Sequence, residues 1–236
     1  MTVYTTIQKV DFDNDTLSTL ADGLDVAMYS KGNGNVDNHG VASYLSGGTP
    51  SSFSPSTSIE KLDFTNDSVG AIAAVLSEAV YVGGGTSNTG TAGYWAGGAT
   101  PSATDGMSKI GFSDDAMDTI TATLSASTYY LSGRSNHGTA GYWDSGYRVG
   151  GAVDKTDFTD DSTAAIAATH FRWGAAGVTA GTVCGYIAGG GNSGANLSYT
   201  DDIAKLLYSD DSISTGAATM SVPRILFTGC QNSAVA

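Results

Sequence analysis

The stretch IEKLDFTNDS, at residues 59–68, is one of five copies of the same ten-residue pattern in this chain. The others are IQKVDFDNDT from residue 7, MSKIGFSDDA from residue 107, VDKTDFTDDS from residue 153 and IAKLLYSDDS from residue 203. Their lysines lie 52, 48, 46 and 50 residues apart, a period typical of solenoids and propellers. The pattern therefore predicts five copies of one structural unit. The five lysines are Lys9, Lys61, Lys109, Lys155 and Lys205.

Each unit is predicted to form short strands joined by turns. Residues 59–64 alternate between two sets of side chains, as expected for a strand, and the N-D-S/T that follows is turn chemistry. The segments AIAAVLS from residue 71, GGGTSN from residue 83 and AGYWAGG from residue 92 supply further strands, although AIAAVLS is also compatible with one short helix. Four strands in about 48 residues predict an all-β chain and a five-bladed β-propeller.

The chain ends bear on whether the ring closes. The last copy stops before any GYW segment, while TVYTT at residues 2–6 is a short β-prone segment ahead of the first lysine. We therefore expect an N-terminal strand to complete the last blade and close the ring. Residues 1–236 would then form a single propeller domain.

Two of these motifs also carry a resemblance. The GYW-A-GG segment and the I-x-K-x-D-F-x-N-D-T/S hairpin, clearest at residues 92–98 and 59–68, resemble the kelch-like repeats of virion structural and tail-fibre proteins from tailed phages that infect cyanobacteria. Those repeats are often written GYF-GGG and R-I-D-Y-S-N-D-T, and Asn14, Asp15 and Thr16 give the NDT form here. Lysine replaces the arginine of that pattern, and Gly111 and Leu207 replace its first aspartate. The resemblance implies a kelch-like propeller within a phage particle.

An aspartate stands six residues after each lysine, and two interpretations of it are open. In the first, the lysine and the aspartate pair across one hairpin or cap its turn, at roughly 0 to 1 kcal/mol for each exposed pair. Alternatively, the D-F-x-N-D carboxylates bind Ca²⁺. The segment lacks the glycine and distal glutamate of an EF-hand loop, which favours the structural interpretation, so no metal or other cofactor is expected. The five aspartates are Asp15, Asp67, Asp115, Asp161 and Asp211.

The composition of the chain restricts the kinds of partner that it is expected to bind. A formal charge of −13 argues against nucleic-acid binding, because phosphate contacts need clustered lysine and arginine. No basic leader followed by an apolar run is found after Met1, and no stretch of 18 apolar residues occurs, so neither a signal peptide nor membrane insertion is expected. We expect synthesis in the host cytoplasm. Cys184 and Cys230 occupy different positions of the repeat and are predicted to be free thiols.

Catalytic constellations are not evident in the sequence. His39 and His137 occupy equivalent positions, which indicates a turn role, and His170 replaces the leucine of other copies. No G-x-S-x-G elbow, Walker loop or zinc-ligand spacing occurs. Because an active site should break the symmetry of a repeat, the protein is predicted not to be an enzyme.

Some aromatic and arginine residues do break the symmetry. Such residues on loops are typical binding anchors. Trp95 and Trp143 differ, because they recur on a strand beside tyrosines and are predicted to be core residues. The candidate contact surface consists of Tyr147, Arg148, Arg172 and Trp173.

Two classes of function follow. The first is a structural protein of the virion, attached as a capsid decoration or as a neck, tail or fibre module through contacts with other virion proteins. The second is a carbohydrate-binding propeller that attaches to host-surface glycans. A lectin should repeat its binding residues from unit to unit, whereas this chain repeats turn and core positions more faithfully. The sequence therefore favours the structural class.

Overall fold

The computed structural model describes residues 5–11, 13–28, 34–50, 54–144, 146–147, 151–192 and 198–226. All the regular elements among them are β-strands, numbered β1 to β20, so the described part of the chain is all-β as predicted. The AIAAVLS segment lies in a strand and not in a helix. None of the described residues belongs to a helix long and apolar enough to cross a bilayer.

Sixteen of the strands form four antiparallel sheets of four strands each. Sheet A consists of β3 (Val36–Asn38), β4 (Ala42–Ser46), β5 (Ser56–Asp63) and β6 (Ser68–Val80). Sheet B consists of β7 (Gly84–Asn88), β8 (Ala92–Ala96), β11 (Met107–Gly111) and β12 (Met117–Asp118). Sheet C consists of β13 (Gly133–Asn136), β14 (Ala140–Trp143), β15 (Ala152–Asp157) and β16 (Thr163–Thr169). Sheet D consists of β17 (Ala176–Ala180), β18 (Cys184–Ala188), β19 (Asp202–Leu207) and β20 (Ile213–Thr219).

The remaining strands form two hairpins. One joins β9 (Ala99–Thr100) to β10 (Ser102–Ala103). The other, the N-terminal hairpin, joins β1 (Gln8–Asp11) to β2 (Thr16–Thr19) and carries the first lysine.

The sheets do not coincide with the lysine units. In each sheet the lysine lies on the third strand, so a sheet begins in the second half of one unit and ends in the first half of the next. Sheet D, which contains Lys205, already has four strands from residues 176–219, so it does not need a strand from the N-terminal segment. Of that segment, residues 2–4 lie outside the described residues. Thr5 lies along the N-terminal hairpin, where its carbonyl oxygen accepts from the N–H of Leu24 at 2.8 Å.

Successive sheets touch along their first strands, in a propeller-like arrangement. The N–H of Asp37 donates to Ser87 Oγ at 2.8 Å, and the N–H of Ser87 donates to Ser135 Oγ at 2.9 Å. The N–H of Ser135 in turn donates to Thr179 Oγ1 at 2.9 Å. One hydroxyl in each of sheets B, C and D therefore satisfies a backbone donor of the sheet before it, and the four first strands lie side by side.

The core lies between neighbouring sheets. Tyr44 and Val36 of sheet A pack with Ile110 and Phe112 of sheet B, and three of these four side chains are fully buried. The predicted core position of the tryptophans is confirmed, because Trp95 is 5% exposed and Trp143 1%. Their indole N–H groups donate to the carbonyl oxygen of Gly34 and to Thr156 Oγ1, respectively.

Candidate functional site

A repeated contact, here called the latch, joins each sheet to the next. It consists of a lysine and a tyrosine on adjacent strands of one sheet and the repeat aspartate of the following sheet. At the boundary of sheets B and C, Lys109 Nζ lies 2.8 Å from Asp161 Oδ2, and the Tyr94 hydroxyl donates to Asp161 Oδ1 at 2.7 Å. The ammonium group also lies 5.5 Å from the centroid of the Tyr94 ring, within cation–π range. The other complete latches are Lys61, Tyr44 and Asp115, and Lys155, Tyr142 and Asp211.

The strand register brings the two donors together. Lys109 on β11 pairs directly with Tyr94 on β8, and the same pairing places Lys155 opposite Tyr142. Directly opposite residues on neighbouring antiparallel strands point to the same face of the sheet. One lysine and one tyrosine at fixed positions of the repeat therefore supply both donors of each latch, and this is why the lysine recurs.

The aspartate is presented by the turn that follows the lysine strand. All five repeat aspartates have a positive φ of 55–60°, a backbone conformation in which aspartate is one of the tolerated residues. The preceding Asn or Asp side chain accepts from a backbone N–H two residues on, as Asn66 does from Ser68 at 2.9 Å. This Asx turn aims the aspartate away from its own sheet, towards the sheet before it.

The predicted pairing of lysine and aspartate across one hairpin was therefore wrong for the main contact. Lys61 bonds to Asp115, which is 54 residues away, and not to Asp67 of its own hairpin. Asp67 instead bonds to Lys9, whose Nζ lies 2.8 Å from Asp67 Oδ2. The reason is the positive φ of the aspartate, which turns its side chain out of the hairpin plane.

The first aspartate of the D-F-x-N-D pattern has a local turn role. Asp63 Oδ1 accepts from both the N–H and the hydroxyl of Thr65, and hydrogen bonds from Thr65 hold the pKa of Asp63 below its usual value. Asp157 accepts in the same way from Thr159. Among the described residues, no group of three or more His, Cys, Asp or Glu side chains is placed to hold a metal ion.

Burial and the aspartate act together on the latch tyrosines. Desolvation raises the pKa of Tyr94 well above its usual value, and the hydrogen bond to the Asp161 carboxylate raises it further. Tyr44 and Tyr142 are shifted in the same direction for the same two reasons. Each hydroxyl therefore stays a neutral donor, and the lysine neutralises the carboxylate.

A second feature, the aromatic cluster, consists of Tyr129, Tyr130, Tyr147 and Trp173. Their ring centroids form a closed cycle, with distances of 5.1 Å from Tyr129 to Tyr130, 5.2 Å from Tyr129 to Tyr147, and 5.7 Å from Trp173 to both Tyr130 and Tyr147. Tyr147 is 41% exposed, whereas Trp173 is 8% exposed and forms the base of the cluster. Burial raises the pKa of Tyr129 and Tyr130.

Backbone contacts fix this cluster on loops that flank the strands of sheet C. The N–H of Tyr147 donates to the Tyr129 carbonyl oxygen at 2.7 Å, and Tyr130 has a φ of 58°. Gly191 faces the indole of Trp173, where a Cβ atom would lie 2.6 Å from Nε1. Glycine at residue 191 therefore lets the tryptophan approach the backbone closely.

The structure brings together only part of the predicted contact surface. Tyr147 and Trp173 are in direct edge contact. Arg172 points elsewhere and donates to Asn192 Oδ1 at 2.6 Å and to Asp202 Oδ2 at 3.1 Å. Arg148 lies outside the described residues. Tyr129 and Tyr130 were not predicted from the sequence. Tyr129 matches Tyr81 of the second copy, but Tyr130 matches Val82 there and was a usable signal.

A charged group that was not predicted from the sequence lies inside sheet C and is here called the buried triad. Arg134 donates from both terminal nitrogens to the Asp144 carboxylate, which also accepts from the Ser132 hydroxyl. The side chains of Arg134 and Asp144 are 0% and 1% exposed, and His170 Nδ1 lies 3.9 Å from Asp144 Oδ1. His170, which replaces the leucine of other copies, thus belongs to a set of three residues.

Electrostatics in the buried triad favour a charged pair beside a neutral histidine. Burial acts to raise the pKa of Asp144, but the charge of Arg134 and its hydrogen bonds outweigh burial and hold the pKa below the usual value. Burial lowers the pKa of His170. Since Arg134 and Asp144 are inaccessible to water and the His170 side chain is only 12% exposed, the buried triad is an internal element of the fold.

The remaining predicted positions are placed as follows. His39 and His137 both lie in turns between the first and second strands of their sheets. Cys184 is a buried free thiol on β18, and Cys230 lies outside the described residues.

A scan against protein-family models found no match to the chain, and a search of curated proteins found none either. The resemblance to phage kelch-like repeats therefore stays a prediction.

Proposed function

We propose that the chain is a non-enzymatic structural component of a tailed-phage virion, a single five-bladed ring closed with the help of its N-terminal segment. It would contact other virion proteins as a capsid decoration or as a neck, tail or fibre module. The latch carries this proposal, because the same three residue types join neighbouring sheets at three successive boundaries. A repeated, internally cross-linked scaffold suits a protein whose task is to hold position in a particle.

The places where the repeat is broken also support a binding or structural role. The buried triad is an unusual set of reactive side chains, but Arg134 and Asp144 are too deeply buried to meet a substrate. The aromatic cluster is accessible through Tyr147, and clustered aromatic side chains are typical of contact surfaces. Protein–protein contact is therefore the activity that these residues favour.

Quantitative mass spectrometry of purified phage particles tests the proposal. The chain should be present at a fixed ratio to the major capsid protein. A ratio comparable with that of the capsid protein indicates decoration, and a much smaller fixed ratio indicates the neck, tail or fibre. Absence from the particles would contradict the proposal.

A second candidate function is carbohydrate binding, and the aromatic cluster is the observation that favours it. An exposed tyrosine over a buried tryptophan offers the amphipathic aromatic faces that suit a ligand with one apolar face and a polar rim. Host-surface glycans are the expected ligands.

A glycan array compares the wild type with Y147A and F64A. Phe64 is also 41% exposed and lies outside the aromatic cluster, so F64A controls for the loss of an exposed ring. Binding that is lost in Y147A and kept in F64A would support a lectin. Equal effects of the two variants, or no binding by the wild type, would contradict it.

A further inference from the structure

Among the described residues, one lysine and one aspartate of the repeat lack the ion pair that their counterparts form. The four lysines from Lys9 to Lys155 each reach the aspartate of the next unit. Lys205, in the last sheet, forms no ion pair with a described residue, and neither does Asp15 of the N-terminal hairpin. We propose that Asp15 docks onto Lys205 and Tyr186 of the same chain, so that the N-terminal hairpin covers the open face of sheet D.

Sheet D carries the donor half of a latch. Lys205 pairs with Tyr186 across β19 and β18, and its Nζ lies 5.9 Å from the centroid of the Tyr186 ring. This repeats the geometry of Lys109 and Tyr94. Tyr186 is only partly buried, however, whereas Tyr94 is fully buried beneath sheet C. Tyr186 therefore lacks the cover that the following sheet gives to its counterparts.

The N-terminal hairpin carries the acceptor half. Asp15 has a φ of 55°, so its turn is already in the conformation that presents the aspartate in a complete latch. The Asx bond is also in place, because Asn14 Oδ1 accepts from the N–H of Thr16 at 3.0 Å. The Asp15 carboxylate therefore lacks only a lysine and a tyrosine to bond to.

The hairpin also exposes an apolar face at the positions that pack against a preceding sheet elsewhere. The residue after the lysine is fully buried in sheets B and D, where Ile110 packs with Tyr44 and Leu206 packs with Tyr142. The equivalent Val10 is 49% exposed, and Leu17 on the paired strand is 61% exposed. The two faces are therefore complementary, with apolar side chains and a carboxylate on the hairpin and an aromatic ring and an ammonium group on sheet D.

The path of the chain favours docking within one molecule. Backbone bonds step from sheet to sheet, from Tyr130 N–H to the Val82 carbonyl oxygen, from Gly174 to Tyr130 and from Leu226 to Gly174. Leu226, which follows sheet D, thus occupies the next place in this series. The Lys9–Asp67 contact puts the hairpin immediately before sheet A. This inference rests on the five-bladed ring proposed above. In such a ring, the place after sheet D and the place before sheet A are the same place.

The exposed apolar face gives the first test. V10D should lower the melting temperature by about 4 °C or more, because a charge would then be buried against sheet D. V75D is the matched control, since Val75 on β6 is 51% exposed and should change the melting temperature by less than about 2 °C. Equal shifts for V10D and V75D would overturn the inference.

Charge reversal and rescue give the second test. K205E should lower the melting temperature, and adding D15N should recover most of the loss because the repulsion is removed. The same comparison of K109E with K109E/D161N measures how large the loss and the rescue are for a latch that is present in the structure. Sedimentation equilibrium should show a monomer throughout. Additive effects of K205E and D15N would overturn the inference, as would a rescue that appears only at concentrations where dimers form. Neither result depends on whether the chain is found in phage particles.

Discussion

Sheets B and C share one architecture and fill the same interior positions with opposite chemistry. In sheet B these positions hold small or apolar side chains, whereas in sheet C they hold the buried triad. The repeat alignment matches Thr86 with Arg134, Ala96 with Asp144, and Leu124 with His170. The register agrees, because Thr86 pairs with Tyr94 as Arg134 pairs with Tyr142.

The three changes in sheet C form one set. A lone arginine at residue 134 would leave a buried charge without a partner, and so would a lone aspartate at residue 144. Together they form a bidentate pair with 0% and 1% exposed side chains. A buried pair of this kind is weak evidence for extra stability, but breaking it is costly. Sheet C should therefore depend on residues that sheet B does without.

Breaking the pair should give the largest effect. R134M is expected to destabilise the protein by about 3 to 5 kcal/mol, because Asp144 would keep a buried charge without its main partner. Urea denaturation monitored by tryptophan fluorescence measures the change in the free energy of unfolding. T86A, the variant at the equivalent position in sheet B, removes a hydroxyl that donates to the Arg134 carbonyl oxygen and bonds to Ser135 Oγ, and it should cost only about 1 to 2 kcal/mol.

Converting sheet C to the sheet B pattern tests whether the three residues are a set. The triple variant R134T/D144A/H170L removes both charges and restores the leucine, so it should recover more than half of the loss seen in R134M. A triple variant less stable than R134M would show that the three residues contribute independently, and the comparison of the two sheets would fail.

Much of the fold was predictable because repetition within the chain made its strands visible. The recurrence of lysine, turn and GYW segments predicted short strands, and the core roles of Trp95 and Trp143 followed from their alternation with tyrosines. The assignment of strands to sheets was not predictable in the same way. A linear repeat has no marked beginning, so the sequence does not reveal that the lysine lies on the third strand of a sheet and not on its first.

The candidate site was less predictable, and the reason is geometric. The sequence showed that Lys109 and Asp115 recur six residues apart, which suggested a local pair. It could not show that a positive φ at Asp115 directs that carboxylate to Lys61 of the preceding sheet. Likewise, Arg134 and His170 each departed from the repeat, but their contact with Asp144 depends on how the strands of sheet C bring the three residues together.

A moderate effect is expected where the two sheets are alike. Y94F and Y142F each remove one hydroxyl that donates to a latch aspartate, while Lys109 and Lys155 keep their ion pairs. Each variant should lose about 1.5 to 3 kcal/mol, the usual contribution of a hydrogen bond to a charged group. Urea denaturation should give the same loss for both variants. A clearly larger loss for Y142F would mean that the buried triad also acts through this latch.

The smallest effect at neutral pH, and the sharpest difference between the sheets, should come from His170. Burial lowers its pKa in the folded chain, whereas in the unfolded chain the pKa is about 6.5. The unfolded chain therefore binds more protons as the pH falls, and the stability present above about pH 6.5 is lost on acidification towards the folded pKa. H170L, which restores the leucine of sheet B, should change the free energy of unfolding by about 1 kcal/mol or less at pH 8.

Between pH 7 and pH 5 the H170L variant should lose less stability than the wild type. His137 also has a lowered pKa, caused first by burial, so H137N is the control that measures its share of the remaining pH dependence. Asp144 does not contribute in this window, because its lowered pKa costs stability only below about pH 4, where the unfolded carboxylate takes up a proton. Urea titrations at both pH values measure the slopes. Parallel slopes for the wild type and H170L would mean that the histidine titrates freely, and that sheet C tolerates a third charge beside its buried pair.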